Sequence, residues 1–271
     1  MRAALAWCEG SKIILVVNKC DLWDDSQTGK FETWDEKYDY YTTQRQACRI
    51  EIDFKFPVFD TLYLSDFKAR LNLADASMSL SSTSPFGAAS LTAFIDHQSG
   101  ILFCDLGSSF QENVPLEISI ERFGSRTFSM WYTRMKRDAA IGLSGTEALA
   151  DARGAHLTQK LTSGTFAVGG TVMENDGLTV SNLREHSRRA TIQLTGKPEK
   201  HVKLAFAVTS PVEGDPVSEV ENKLSSARAQ GFASFRKSHA QYWASIWHRS
   251  LMDYGDDYLS NLWYLTMYYA H

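Results

Sequence analysis

From Lys12 to about Ser210 the apolar positions fall into short runs separated by polar, glycine or Asn/Asp clusters, the spacing of half-buried strands. Ile13 to Val17 is one continuous apolar run. Cys48, Ile50, Ile52, Phe54 and Phe56 alternate with Arg49, Glu51, Asp53 and Lys55, which predicts a strand with one apolar and one wet, charged face, as in an antiparallel sheet. Leu62, Leu64, Phe67, Leu71 and Leu73 continue the apolar theme. Leu91 to Ile95 and Ile101 to Leu106 flank Asp96-His97-Gln98-Ser99-Gly100, and Leu116 to Phe123 and Thr127 to Tyr132 flank Gly124-Ser125; both pairs read as hairpins. Further runs occupy His156 to Leu161, Thr165 to Val172, Ala190 to Leu194 and Val202 to Val208. Roughly a dozen strands without intervening helices predict a mainly β chain, a large antiparallel β-sandwich rather than a parallel α/β sheet.

At Glu213-Gly214-Asp215-Pro216 the pattern changes. Asp215 suits an N-cap and Pro216 the first helical position, where its missing N–H costs nothing. Val220, Leu224 and Ala227, then Phe235, His239, Tyr242, Trp243, Ile246 and Trp247 beyond Gly231, recur at helical spacing and predict two amphipathic helices. Asp256 and Asp257 open a third, whose Leu259, Leu262, Trp263, Tyr264, Leu265, Met267, Tyr268 and Tyr269 are apolar nearly all round. Such a helix has to be buried. Three of the seven tryptophans and six of the eleven tyrosines lie from Tyr242 onward, so this end is expected either to be covered by further chain beyond His271 or to return over the sandwich. The expected division is a sandwich domain over 1–212 and a helical segment over 213–271.

Composition narrows the function classes. The formal charge is 28 − 32 = −4 and the pI about 6.0, which gives no basic footprint for nucleic acid, and no run of apolar residues is long enough for a membrane-spanning helix. Cys8, Cys20, Cys48 and Cys104 show no C-x-x-C spacing and read as buried thiols. The seven histidines form no H-x-x-x-H or H-E-x-x-H motif, so local spacing supports no metal site and no cofactor is expected. Arg184, Arg188 and Arg189 with His186 read as a solvated edge.

Two stretches carry candidate chemistry. Ile13 to Leu22 contains Asn18-Lys19-Cys20-Asp21, which looks like the guanine-reading N-K-x-D turn of GTPases. The phosphate loop is absent, since Gly29-Lys30 is followed by Phe31 and Gly196-Lys197 by Pro198. The expected continuation is strands rather than a helix, so guanine-nucleotide binding is the remote alternative. Asp21, Trp23, Asp24 and Asp25 form a polar turn in which an aromatic beside carboxylates suits a sugar face and its hydroxyls. The plainer reading of Trp23 is a rim residue capping the core.

The order of strand-rich block, linker helices and aromatic helix resembles the front of glycoside hydrolases of the alpha-L-fucosidase-like family 95 and of family 65. The likeness is carried by Ala4-Leu5-Ala6-Trp7 with the strand Ile13 to Asn18, by Asp21-Leu22-Trp23-Asp24-Asp25, by His239 to Ser250, and by Leu262-Trp263-Tyr264-Leu265-Thr266-Met267-Tyr268-Tyr269. The resemblance implies a galactose-mutarotase-like supersandwich followed by linker helices and the first helix of an (α/α)6 barrel. It further implies that both ends are clipped, because only Met1, Arg2 and Ala3 precede a strand that a Gly-Asn-Gly loop precedes in the family. The implied parent is an inverting hydrolase acting on a carbohydrate substrate, often secreted or periplasmic. Its catalytic carboxyl groups lie in the barrel, so no catalytic residue is expected here, and Asp21, Trp23, Asp24 and Asp25 are the substrate-contact candidates. A freestanding carbohydrate-binding sandwich with a stacking platform near Trp23 and Trp34 is the alternative from another class.

Overall fold

Fourteen strands and three helices are present among the described residues, and the strands pair only in antiparallel fashion. The computed structural model describes residues 3–24, 43–122, 146–151, 154–161, 164–186, 188–210 and 214–270. The elements are β1 (Ala3–Glu9), β2 (Lys12–Asp24), β3 (Thr43–Asp53), β4 (Asp66–Asn72), β5 (Ser77–Ser84), β6 (Gly87–Ile95), β7 (Leu102–Phe110) and β8 (Leu116–Glu121). They continue with β9 (Thr146–Asp151), β10 (Gly154–Leu161), β11 (Gly164–Asn175), β12 (Thr179–His186), β13 (Arg189–Thr195), β14 (Glu199–Val208), α1 (Pro216–Gln230), α2 (Phe232–Ser250) and α3 (Asp257–Ala270). One sheet has the order β1-β2-β3-β8-β13-β12 and the other β4-β5-β6-β7-β14-β11-β10-β9.

The two sheets close on a core that takes alternate residues from each. Ile13, Leu15 and Val17 of β2, Cys48, Ile50 and Ile52 of β3, and Ile118 and Ile120 of β8 meet Leu91 of β6, Leu102, Cys104 and Leu106 of β7, Phe166 and Val168 of β11, and Leu204 and Phe206 of β14. A second core lies on the opposite face of the eight-stranded sheet. There Phe94, Phe103, Ala167, Ala205 and Ala207 receive Val220, Leu224 and Ala227 of α1 and Phe232 and Phe235 of α2. The middle strands are therefore apolar on both faces, while the helices form a third layer. Arg122 is buried as well; it donates to Gln159 and lies 5.8 Å from the Phe166 ring centre.

Local chemistry sets the helix boundaries where the pattern predicts them. Asp215 caps α1 by accepting from the backbone N–H groups of Val217 and Ser218 at 3.1 and 3.2 Å, with Pro216 in the first turn and Gly231 at the C-terminus with φ 82°. Asp96 accepts from the N–H of Gln98 and Ser99, which closes the β6–β7 hairpin. Asp256 accepts from the N–H of Leu259 and opens α3.

Three expectations need correction. The charged face of β3 is not uniformly wet, because Glu51 is only 2% exposed. Phe67 and Leu71 lie on β4, an edge strand whose residues are all exposed, and Leu62 beside it is 84% exposed. Of the two expectations for α3, a return over the sandwich is the one corrected, since none of its residues is buried. The Gly124-Ser125 hairpin and the Thr127 to Tyr132 run lie outside the described residues. No helix among them is long and apolar enough to cross a membrane.

Adjacent glycines in β11 let the layers approach. A Cβ on Gly169 would stand 2.3 Å from Val220 Cγ1 of α1, and one on Gly170 would stand 2.6 Å from Phe206 Cδ1. The first glycine admits the helix and the second admits the core aromatic. Gly169→Ala is expected to destabilise the fold by about 1–3 kcal/mol, read as a lower urea midpoint, and to cost less in a Val220→Ala background. Equal costs in both backgrounds would show that the α1 contact does not set this position.

Candidate functional site

The third helix carries a row of large apolar side chains that stay exposed. It turns back from α2 through a loop with Gly255 at φ 66° and packs along the second half of that helix. Trp263 Nε1 donates to the Ser250 carbonyl at 2.9 Å, and the Tyr264 hydroxyl donates to the Met252 carbonyl at 3.0 Å. Tyr268 lies against Trp243 and Tyr264 against Trp247, with ring centres 5.6 and 5.7 Å apart. Trp263, Tyr264, Met267 and Tyr268 are thus the half-buried side.

The remaining side faces outward. Tyr258, Leu262, Leu265 and Tyr269 recur at intervals of four, three and four and are 74%, 49%, 37% and 75% exposed, with Leu259 beside them at 47%. A stripe at helical spacing is a ready-made groove partner for another helix. Among the described residues α2 covers only one flank of α3, so the return over the sandwich is not what the structure shows.

The face of the six-stranded sheet away from the core carries a lattice of charges. Lys12 and Arg189 hold Glu51 at 2.6 and 3.1 Å, Arg49 holds Glu121 at 2.6 Å, and Lys55 bridges Asp53 and Glu117 at 3.0 and 2.5 Å. Four cations meet four carboxylates, so this lattice has no net charge to offer an ionic ligand. Burial by itself raises the Glu51 pKa, but hydrogen bonds and charge from Lys12 and Arg189 outweigh it and hold the carboxyl below its usual range. Burial also pushes the Cys8 and Cys48 thiols up to about 11 and about 12, which leaves them protonated and unreactive at neutral pH.

The substrate-contact candidates divide. Asp21, Trp23 and Asp24 lie in the last part of β2, with Trp23 opposite Gln44 and Asp24 opposite Thr43, so they belong to a strand rather than to the expected turn. Asp25 lies outside the described residues, as does Trp34. The strand register shifts on either side of Asn18. Asn18 pairs with Ala3 of β1 and Gln46 of β3, and Lys19, Cys20 and Asp21 follow it within β2, whereas guanine reading needs a parallel strand ending in a loop before a helix; the nucleotide reading is corrected on that ground. Among the described residues, one group of metal-type side chains comes together: Asp96, His97 and His239. Motif spacing missed it because a hairpin tip and a distant helix supply its parts.

The fold thus defines a two-sheet antiparallel sandwich bearing a helical layer with an open apolar flank. No protein-family profile and no curated protein matches the sequence. Among solved structures, the chain is similar to a bacterial glucoamylase complexed with acarbose, at 9% identity and TM-score 0.48, over 75% of this chain and 32% of that one. It is also similar to a putative kojibiose phosphorylase from the human microbiome, at 12% identity and TM-score 0.47, over 96% of this chain and 35% of that one. The chain spans about a third of the length of each.

Two outcomes follow from these surfaces. The purified chain is expected to self-associate at micromolar concentration through the α3 flank, and Leu262→Glu with Leu265→Glu to return it to a monomer by light scattering; a parent chain that is already monodisperse and monomeric contradicts this. Glu51→Gln is expected to cost about 1–3 kcal/mol at neutral pH. Because the folded-state pKa of Glu51 is lowered, its contribution is present above the unfolded value and lost as pH falls, so the gap between parent and variant narrows below about pH 4. A gap independent of pH in denaturant titrations counts against the ionic role.

Proposed function

We propose that this chain is the non-catalytic N-terminal portion of a glycoside hydrolase, with residues 1–212 as the supporting sandwich domain and 213–271 as the linker helices and first helix of an (α/α)6 catalytic barrel. The observation that carries the reading is the outward stripe of Tyr258, Leu262, Leu265 and Tyr269, on a helix already anchored to α2 along its other side. Barrel helices following in the same chain are the natural cover for it. The carbohydrate assignment is supported by the likeness of the segments at Ala4–Trp7, Asp21–Asp25, His239–Ser250 and Leu262–Tyr269 to family 95 and family 65 enzymes.

On this reading the sandwich braces the barrel, and Asp21, Trp23, Asp24 and Asp25 lie at the rim of the substrate cleft. Trp23 offers a stacking face and the carboxylates accept from sugar hydroxyls. The bond-breaking carboxyl pair belongs to the barrel, where one acid protonates the leaving oxygen and a base activates water on the opposite face of the ring. No residue of the present chain takes part in that step.

Extending the expressed protein along its own reading frame past His271 tests the proposal. The expected product contains further amphipathic helices, is monomeric, and hydrolyses glycosides that the 271-residue chain leaves intact. In that product Trp23→Ala raises KM with little change in kcat. A stop codon directly after His271, together with a stable monomeric chain, overturns the reading; oligosaccharide-dependent tryptophan fluorescence in that chain would favour a freestanding binding module instead.

A further inference from the structure

The β6–β7 hairpin tip meets α2 at a cluster whose polar atoms are poorly satisfied by the protein itself. Asp96 is 2% exposed. Its Oδ2 accepts from Gln98 N, Ser99 N and Ser99 Oγ, whereas its Oδ1 is buried without a hydrogen bond and lies 3.6 Å from His97 Nδ1. His239, in the middle of α2, is 3% exposed, and neither ring nitrogen has a hydrogen-bond partner. Such groups are rarely left unpaired in a protein interior.

The geometry points to a divalent transition-metal site of zinc type formed by Asp96 Oδ1, His97 and one ring nitrogen of His239. One ligand atom from each residue lies within 4.8 Å of the others. Zinc bonds of about 2.0–2.2 Å to nitrogen and oxygen in a tetrahedron place ligand atoms about 3.3–3.5 Å apart, so the Asp96–His97 separation of 3.6 Å already fits, and the 4.8 Å limit on the whole set leaves a closure of at most about 1.4 Å. His97 is the adjustable member, since its side chain is 27% exposed and its ring stacks on Tyr242 at 3.8 Å. Oxygen with two imidazoles suits zinc and its neighbours in the first transition row better than calcium or magnesium.

The surroundings of His239 are largely apolar. Burial lowers the His239 pKa, although the nearby Asp96 charge opposes this. Backbone from Asp75 and Ala76, in the β4–β5 turn, lies at the same ring and favours its charged form, without a hydrogen bond of ordinary geometry to either nitrogen. Phe94 packs on the ring at 4.8 Å and Trp243 at 6.4 Å, shielding it from water. A metal here ties the hairpin tip to α2 and so fixes the helix on which α3 rests. This assignment does not depend on the glycosidase reading.

The test uses the untagged full chain after chelator stripping. Zinc competition against a chromophoric chelator is expected to show one equivalent bound and a raised Tm, and cobalt to give visible ligand-field bands of a four-coordinate site. His97→Ala, at a side chain that the fold does not need, is expected to weaken zinc at least about tenfold, while His201→Ala, at an exposed histidine away from the cluster, leaves it unchanged. If cobalt gives no such bands and zinc does not shift Tm, or if the two histidine variants bind alike, the assignment is wrong. Asp96→Asn serves as a second ligand variant, and unchanged zinc affinity in it would equally overturn the site.

Discussion

The middle of the eight-stranded sheet must be apolar on both faces, and the rest of the molecule follows from that. Leu102, Cys104 and Leu106 of β7 face the other sheet while Phe103 faces the helices; in β14, Val202, Leu204 and Phe206 face one way and Ala205 and Ala207 the other. A sheet with two greasy faces cannot stand in water. One face requires a partner sheet and the other a helical layer, which makes α1 and α2 structural necessities rather than an appendage. Small residues decide where that layer sits. Ala167, Gly169, Ala205 and Ala207 leave a shallow bed for α1 on which Val220 and Leu224 rest.

The same logic reaches the end of the chain with less success. The second helix is held at its start by Phe94 and Phe103, and further on Trp247 donates to the Leu73 carbonyl at 2.8 Å. It therefore passes firmly across the hairpin ends. Its aromatic outer side, however, is covered by α3, and among the described residues nothing covers the outer flank of α3. Each layer solves the exposure of the one before it, and the stripe from Tyr258 to Tyr269 is where the series stops.

Much of the architecture was legible in the chain itself. The alternation at Cys48 to Phe54, the hairpin around Asp96 to Gly100, the Asp215-Pro216 helix start and the stripe from Val220 to Ala227 each express a local rule, because a period of two or of 3.6 residues fixes which side chains share a face. The Asp21–Asp25 segment shows where such rules mislead. Its polar residues read as a turn, yet as far as Asp24 they continue β2, because pairing with β3 overrides local preference. Glu51 likewise reads as solvated; Lys12 from the adjacent β2 and Arg189 from β13, two strands away, hold it where water is excluded.

What the residue order determined alone was the class of each element, its ends and the face it would turn inward, since these depend on neighbours within a few positions. Which strands adjoin, which carboxylates are neutralised, and that Asp96 and His97 come to lie beside His239 were decided only by the folded chain. Those relations join residues far apart in sequence, and no local spacing encodes a distance that exists only after two sheets and a helix have packed.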